Sequence, residues 1–116
     1  ADAARRPKSL LLLCPVLDTS PETGFGADRL GEDWQRWSPR HASMRVDLPT
    51  LVLHGSDDAV ITLDATRKAV EAMVSAGGDV NLSVIDGLPH GFYARSDELE
   101  RTRELIEAWC GLGASP

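Results

Sequence analysis

Two short stretches of this 116-residue sequence carry the side chains best suited to chemistry. HGSDDAV holds His54, Asp57 and Asp58, and GLPHGFY holds His90. A carboxylate beside an imidazole is the supporting half of nucleophilic catalysis. The acid accepts the ring's Nδ1–H, fixes the tautomer and stabilises the imidazolium, while Nε2 takes a proton from a hydroxyl. Asp58 and His90 lie 32 positions apart, so only the fold can join them. Without that fold they read as solvated turn acids and a loop histidine.

The elements around them decide between these readings. SLLLLCPVL (9–17) is a continuous apolar run, too short for a lone helix, stopped by Pro15 and the polar DTSPETG. Such a run suits a strand buried on both faces. TLVLHG (50–55) reads the same way after Pro49. VNLSVIDG (80–87) alternates, with Val80, Leu82 and Val84 opposite Asn81, Ser83 and Ile85, as in a strand nearer a sheet edge.

Helices fall between and after the strands. LDATRKAVEAMVSAGG has a stripe of Leu63, Ala65 or Thr66, Ala69, Val70, Met73 and Val74. Asp64 serves as its N-cap or first-turn acid, and Gly77-Gly78 stops it. SDELERTRELIEAWCGLG has Ser96 as N-cap and a stripe of Leu99, Thr102, Leu105 or Ile106, and Trp109. GADRLGEDWQRWSP (26–39) is a shorter helical stretch ending before Pro39. The order β, short helix, β, helix, β, helix predicts one α/β domain over residues 1–116. It is three-layered, with a parallel sheet of about three strands and flanking helices. Catalytic groups of such sheets collect at the carboxyl ends of the strands. That gathers PVLDTSPETG, HGSDDAV and GLPHGFY on one edge.

Bulk properties narrow the function. A net charge of −6 and a pI of about 4.9, with scattered Lys and Arg, argue against nucleic acid and anionic membranes. No apolar run is long enough to span a membrane. ADAARRPKS lacks a signal-peptide core, and the absence of an initiator Met leaves an upstream start open. Cys14 and Cys110 have no metal-ligand spacing. They read as buried structural thiols, with one long-range disulfide as the alternative. No cofactor or metal is expected. No Gly-rich phosphate loop follows the first strand, which disfavours a nucleotide-binding domain.

LVLHGSDDAVITLDATRKAVEAM followed by LSVIDGLPHGFY resembles the α/β-hydrolase family, in particular its esterase and lipase branch. The resemblance implies that Asp58 is the triad acid and His90 the base, with Asp57 on a variable position. Gly87, Gly91 and Phe92 complete the second motif. LLLCPVLDTSPETGFG and LGEDWQRWSPRHAS look like the sixth strand and following segment of bacterial acetyl-esterase or carbohydrate-esterase-like members. The likeness runs from residue 8 to about residue 110, the carboxy-terminal part of that fold.

The family also needs a Gly-x-Ser-x-Gly nucleophile elbow and an upstream oxyanion-hole loop, and neither is in this sequence. The nearest imitation, Met73 to Gly78, lacks the first glycine, follows a helix and falls between acid and base. Ser56 has no strand-turn-helix to present it. The expectation is therefore part of a serine ester hydrolase, inactive alone, whose substrate is a small ester such as an acetylated carbohydrate. Its partner would be a complementing amino-terminal part or another copy of itself. The alternative is a non-catalytic module that oligomerises through the exposed edge of its first strand. His54 reads as a strand-closing residue bonded to loop backbone, and His41 as a loop anchor. Trp34 and Trp37 share a helical face that either lines a pocket or packs on the sheet. The sequon at Asn81 lies within a strand and is discounted.

Overall fold

The computed structural model describes residues 8–41, 47–91 and 96–110. Three parallel strands, β1 (Leu10–Leu13), β2 (Thr50–Gly55) and β3 (Val80–Ile85), form a sheet in the order β1-β2-β3. The register pairs Leu13 with Leu53 and Gly55 with Ile85. Every residue of β2 is buried, as its unbroken apolar run requires of a central parallel strand. β1 ends after four residues because Cys14 turns into the left-handed region at φ 48, with Pro15 next. That conformation costs a non-glycine residue about 1–2 kcal/mol.

Alternation along β2 divides the core into two layers. Val52 faces α2 (Leu63–Ser75) and packs with Leu17, Ala69, Val70, Met73 and Val80. Leu51 and Leu53 face the other side, with Cys14, Ile85 and Leu88, against Leu105, Ile106 and Trp109 of α3 (Ser96–Cys110). Burying each large aliphatic side chain contributes about 1.5–3 kcal/mol. The expected three-layer arrangement is thus present. β3 follows its alternation, with Val80 and Leu82 on the α2 side and Ile85 on the α3 side.

Local details refine the expectation. Thr62, not Asp64, caps α2, its Oγ1 accepting from Ala65 N–H at 3.3 Å, while Asp64 sits in the first turn. Gly77 stops the helix at φ 98. Val74 and Leu99 belong to their stripes by spacing, yet both are about half exposed. The stretch after Gly26 is a four-residue helix, α1 (Ala27–Leu30), followed by a 3-10 helix over Gly31–Trp37. Trp37 does not pack on the sheet. It is exposed, with the Arg36 guanidinium 5.5 Å from its ring centre. No helix among the described residues is long and apolar enough to cross a membrane.

Candidate active site at the carboxyl ends of the strands

The loops leaving β2 and β3 are stitched together by their backbones. Ser56 N–H donates to Ile85 O (3.1 Å) and Asp57 N–H to Leu88 O (3.0 Å). Ser56 Oγ accepts from Gly87 N–H at 2.7 Å and donates to Asp86 at 3.3 Å. Its hydroxyl is a tie between the two loops. Gly55 is the point of closest approach, because a Cβ there would overlap the Leu88 carbonyl. Gly87 and Gly91 take φ of 78 and 74 on either side of His90, a backbone that L side chains rarely adopt.

This stitching brings Asp58 to His90. His90 Nδ1–H donates to Asp58 Oδ2 at 2.8 Å. The other carboxylate oxygen, Oδ1, accepts from Val60 N–H at 2.9 Å and Ile61 N–H at 2.8 Å. The carboxylate is fully buried, whereas the His90 ring is about one-third exposed. Burial alone pushes the Asp58 carboxyl up. The Ile61 N–H, the His90 ring and the Val60 N–H outweigh it and hold the group below its ordinary value. Asp58 is therefore an anion at neutral pH. Its hydrogen bond places the His90 proton on Nδ1 and leaves Nε2 as the acceptor, the state a general base requires. Asp57, next in sequence, is exposed.

The remaining sequence candidates separate clearly. His54 is completely buried. Its Nε2–H donates to Ile61 O at 2.7 Å, so Nδ1 is the acceptor for Thr66 Oγ1–H at 3.2 Å. Both nitrogens are committed and the ring braces the Asp58 loop, as expected of a strand-closing histidine. His41 meets Ser38 Oγ at 2.9 Å and stacks edge-on against Trp34 at 5.1 Å, which makes it a loop anchor. Ser75 ends α2, just before β3 begins, whereas His90 follows the end of β3. Six strand residues, about 20 Å, separate the two edges. Phe92 lies outside the described residues.

Two residues near the site have surroundings that the sequence does not indicate. Asp18, in the loop after β1, is a second buried carboxylate. It accepts from Ser20 N–H (2.9 Å), Thr23 Oγ1–H (2.6 Å) and Arg40 Nη1–H (3.0 Å). Burial pushes it up, but the Thr23 and Ser20 hydroxyls, the Ser20 N–H and Arg40 pull it down to about 2. A buried acid inside DTSPET, with hydroxyls two and five positions on, was the available signal. Asp18 and Ile61 also line a cavity of about 50 Å³, an order of magnitude below a drug-sized ligand pocket.

The second feature is Cys14, a buried free thiol. Its sulfur, an Asp58 carboxylate oxygen and a His90 ring nitrogen all lie within 4.8 Å of one another. Burial pushes its thiol up, hydrogen bonds from the Gly91 and Gly55 backbones oppose this, and the Asp58 charge adds to the rise. The expected burial of this thiol is met, and it is not in a disulfide.

Comparison with known proteins bears on this geometry. The model of the prolyl oligopeptidase family matches residues 19–111. The chain is 38% identical over 65 residues to the non-heme chloroperoxidase CPO-A1 of Kitasatospora aureofaciens, covering 54% of this chain and 22% of that protein. It is 44% identical over 45 residues to the esterase YpfH of Escherichia coli, covering 39% and 19%. Among solved structures, it superimposes on a thermophilic esterase of Thermogutta terrifontis with TM-score 0.71 and 29% identity. That match covers 88% of this chain and 41% of the esterase. The chain thus spans about a fifth of the curated relatives it matches and less than half of the solved esterase.

Proposed function

The chain belongs to the prolyl oligopeptidase family, with the fold of α/β-hydrolase esterases, and from that premise we propose that it supplies the acid and base of a serine carboxylic-ester hydrolase. Asp58 orients His90. His90 Nε2 takes the proton of a serine hydroxyl as it attacks an ester carbonyl, then returns that proton to the departing alcohol. Water repeats the cycle to release the acid. The 2.8 Å bond between His90 Nδ1 and a carboxylate fixed by two backbone N–H groups carries this reading. The serine and the oxyanion donors come from sequence outside these 116 residues, either upstream on the same polypeptide or on a complementing chain.

The test has two arms. The 116-residue chain alone should hydrolyse p-nitrophenyl acetate no faster than buffer, and robust turnover blocked by a fluorophosphonate would overturn the partition. In a protein that also carries the upstream Gly-x-Ser-x-Gly part, Asp58→Asn should lower kcat by about 10⁴-fold, the loss seen when a triad acid is neutralised. Retained turnover in a folded Asp58→Asn or His90→Ala protein would remove both residues from the mechanism. The family's name points to peptide bonds, so the same preparations should be offered a p-nitroanilide, with the ester turned over faster.

One observation favours a second reading, a module that associates through its edge. Among the described residues β1 pairs only with β2, and its four leucines are half-buried. An unpaired apolar edge recruits further strands. Light scattering would then report a dimer or larger species, and a monomer at high concentration would exclude it.

A further inference from the structure

We propose that Cys14, Asp58 and His90 form a binding site for a thiophilic divalent cation of the zinc class, and that the bound ion disables the acid–base pair. Three strand-end loops each contribute one ligand atom, and these atoms lie within 4.8 Å of one another. Within this cluster Asp58 Oδ2 and His90 Nδ1 are 2.8 Å apart. Zinc takes sulfur at about 2.3 Å and nitrogen or oxygen at about 2.0–2.2 Å, so tetrahedral ligands sit roughly 3–4 Å from each other. An ion between them would replace the Asp58–His90 hydrogen bond, spreading that 2.8 Å pair while drawing the more distant ligand atoms inward. A thiolate, an imidazole and a single carboxylate suit zinc or cobalt and are a poor set for calcium or magnesium.

The surroundings hold the ligands in place. Asp58 Oδ1 is occupied by Val60 and Ile61 N–H, which directs ligation to Oδ2, the oxygen that also lies 3.3 Å from His54 Nε2. Burial pushes the Cys14 thiol up, and the Gly91 and Gly55 backbones beside the sulfur oppose that rise in part. Cys14 itself is pinned by its N–H to Leu53 O at 2.9 Å.

Binding displaces one proton, from the Cys14 thiol to solvent. The His90 proton moves from Nδ1 to Nε2 as Nδ1 takes the metal, and the ring stays neutral. Nε2 then carries a hydrogen and no longer accepts one from a nucleophile, so metal and catalysis exclude each other. The inhibitory consequence rests on the hydrolase reading; the binding site does not.

Cobalt(II) titration of the 116-residue chain tests it, with Cys110→Ser as background so that Cys14 is the sole thiol. A thiolate-to-cobalt charge-transfer band should saturate at one ion per chain and disappear when zinc is added. Cys14→Ser should abolish the band. Asp58→Asn and His90→Gln should each weaken binding by at least about 100-fold, the upper end of the loss from removing a mere supporting partner. The partly exposed His90 position carries the test if the Asp58 variant fails to fold, as judged by far-UV circular dichroism. No saturable band, or one that keeps its affinity in His90→Gln, overturns the proposal. The readout needs no turnover: its failure leaves the hydrolase reading standing, and a missing esterase activity in the protein that also carries the Gly-x-Ser-x-Gly part, beside an intact band, does the reverse.

Discussion

Gly55→Ala changes one hydrogen into a methyl at the point where the two loops of the acid–base pair touch. The added Cβ would overlap the Leu88 carbonyl oxygen, with the carbonyl carbon 2.6 Å and Leu88 Cβ 3.1 Å away. Real Cβ atoms essentially never come within 3.0 Å of a neighbour, and the obstacle here is backbone, which cannot rotate aside. The His90 loop must retreat by on the order of 1 Å. Asp57 N–H then loses Leu88 O, a bond worth about 1 kcal/mol. Overpacking adds about 1–3 kcal/mol. The entropy that alanine removes from the unfolded chain returns only about 0.4–1 kcal/mol. A net loss of about 1–3 kcal/mol remains.

The same retreat stretches the 2.8 Å bond between His90 and Asp58 beyond hydrogen-bonding range. Urea unfolding measures the first effect. NMR measures the second, through the His90 Nδ1 proton, which exchanges slowly while bonded to the carboxylate. Gly87→Ala is the control. Its Cβ meets nothing within 4 Å, so it incurs only the penalty of φ 78 and should keep the His90 signal. If Gly55→Ala matches wild type in both measurements, the steric account of the loop contact is wrong. If it is less stable but retains the His90 signal, the contact does not position the base.

Two further outcomes follow from the buried polar groups. Asp18 has its folded-state pKa depressed to about 2. Its contribution is fully present above the unfolded value near 4 and is lost as pH falls through about 2; the size is about 2 kcal/mol. Asp18→Asn should remove that amount at neutral pH and flatten the acid limb of a stability-pH curve, leaving the dependence due to Asp58. An unchanged acid limb would show that Arg40 and Thr23 do not hold the ion. His54→Phe should cost about 2–4 kcal/mol in urea unfolding, because it takes the buried ring nitrogens away from Ile61 C=O and Thr66 Oγ1. A neutral His54→Phe would contradict the bracing role.

The sequence was most informative where one physical cause dominates. β2 could be read because all six of its residues are buried, so its composition is uninterrupted. Asp58 and His90 could be placed on one edge because parallel strands end on the same side, and the motif resemblance chose Asp58 over Asp57. The 26–39 stretch was less legible. Its two tryptophans have helical spacing, yet glycines at 26 and 31 adopt positive φ and break the helix. Trp34 then packs on His41, a contact that periodicity does not encode. Cys14 was hidden for another reason. The last residue of an apolar run reads as core, and core it is. Its approach to His90 depends on a φ of 48 and on the pairing of Leu13 with Leu53, neither of which composition reveals.

Where the pair's rigidity comes from bears on what the chain retains by itself. Cys14 N–H holds Leu53 O, Asp57 N–H holds Leu88 O, and Asp58 Oδ1 is held by Val60 and Ile61. Every one of these bonds lies among the described residues, and none needs a nucleophile loop. An acid–base pair supported in this way should keep its geometry whether or not a serine is brought to it. The His90 Nδ1 proton should therefore be observable in the 116-residue chain and unchanged when the upstream half is added. If it appears only on complementation, the upstream half builds the pair rather than borrowing it, and the division of labour proposed for the two parts fails.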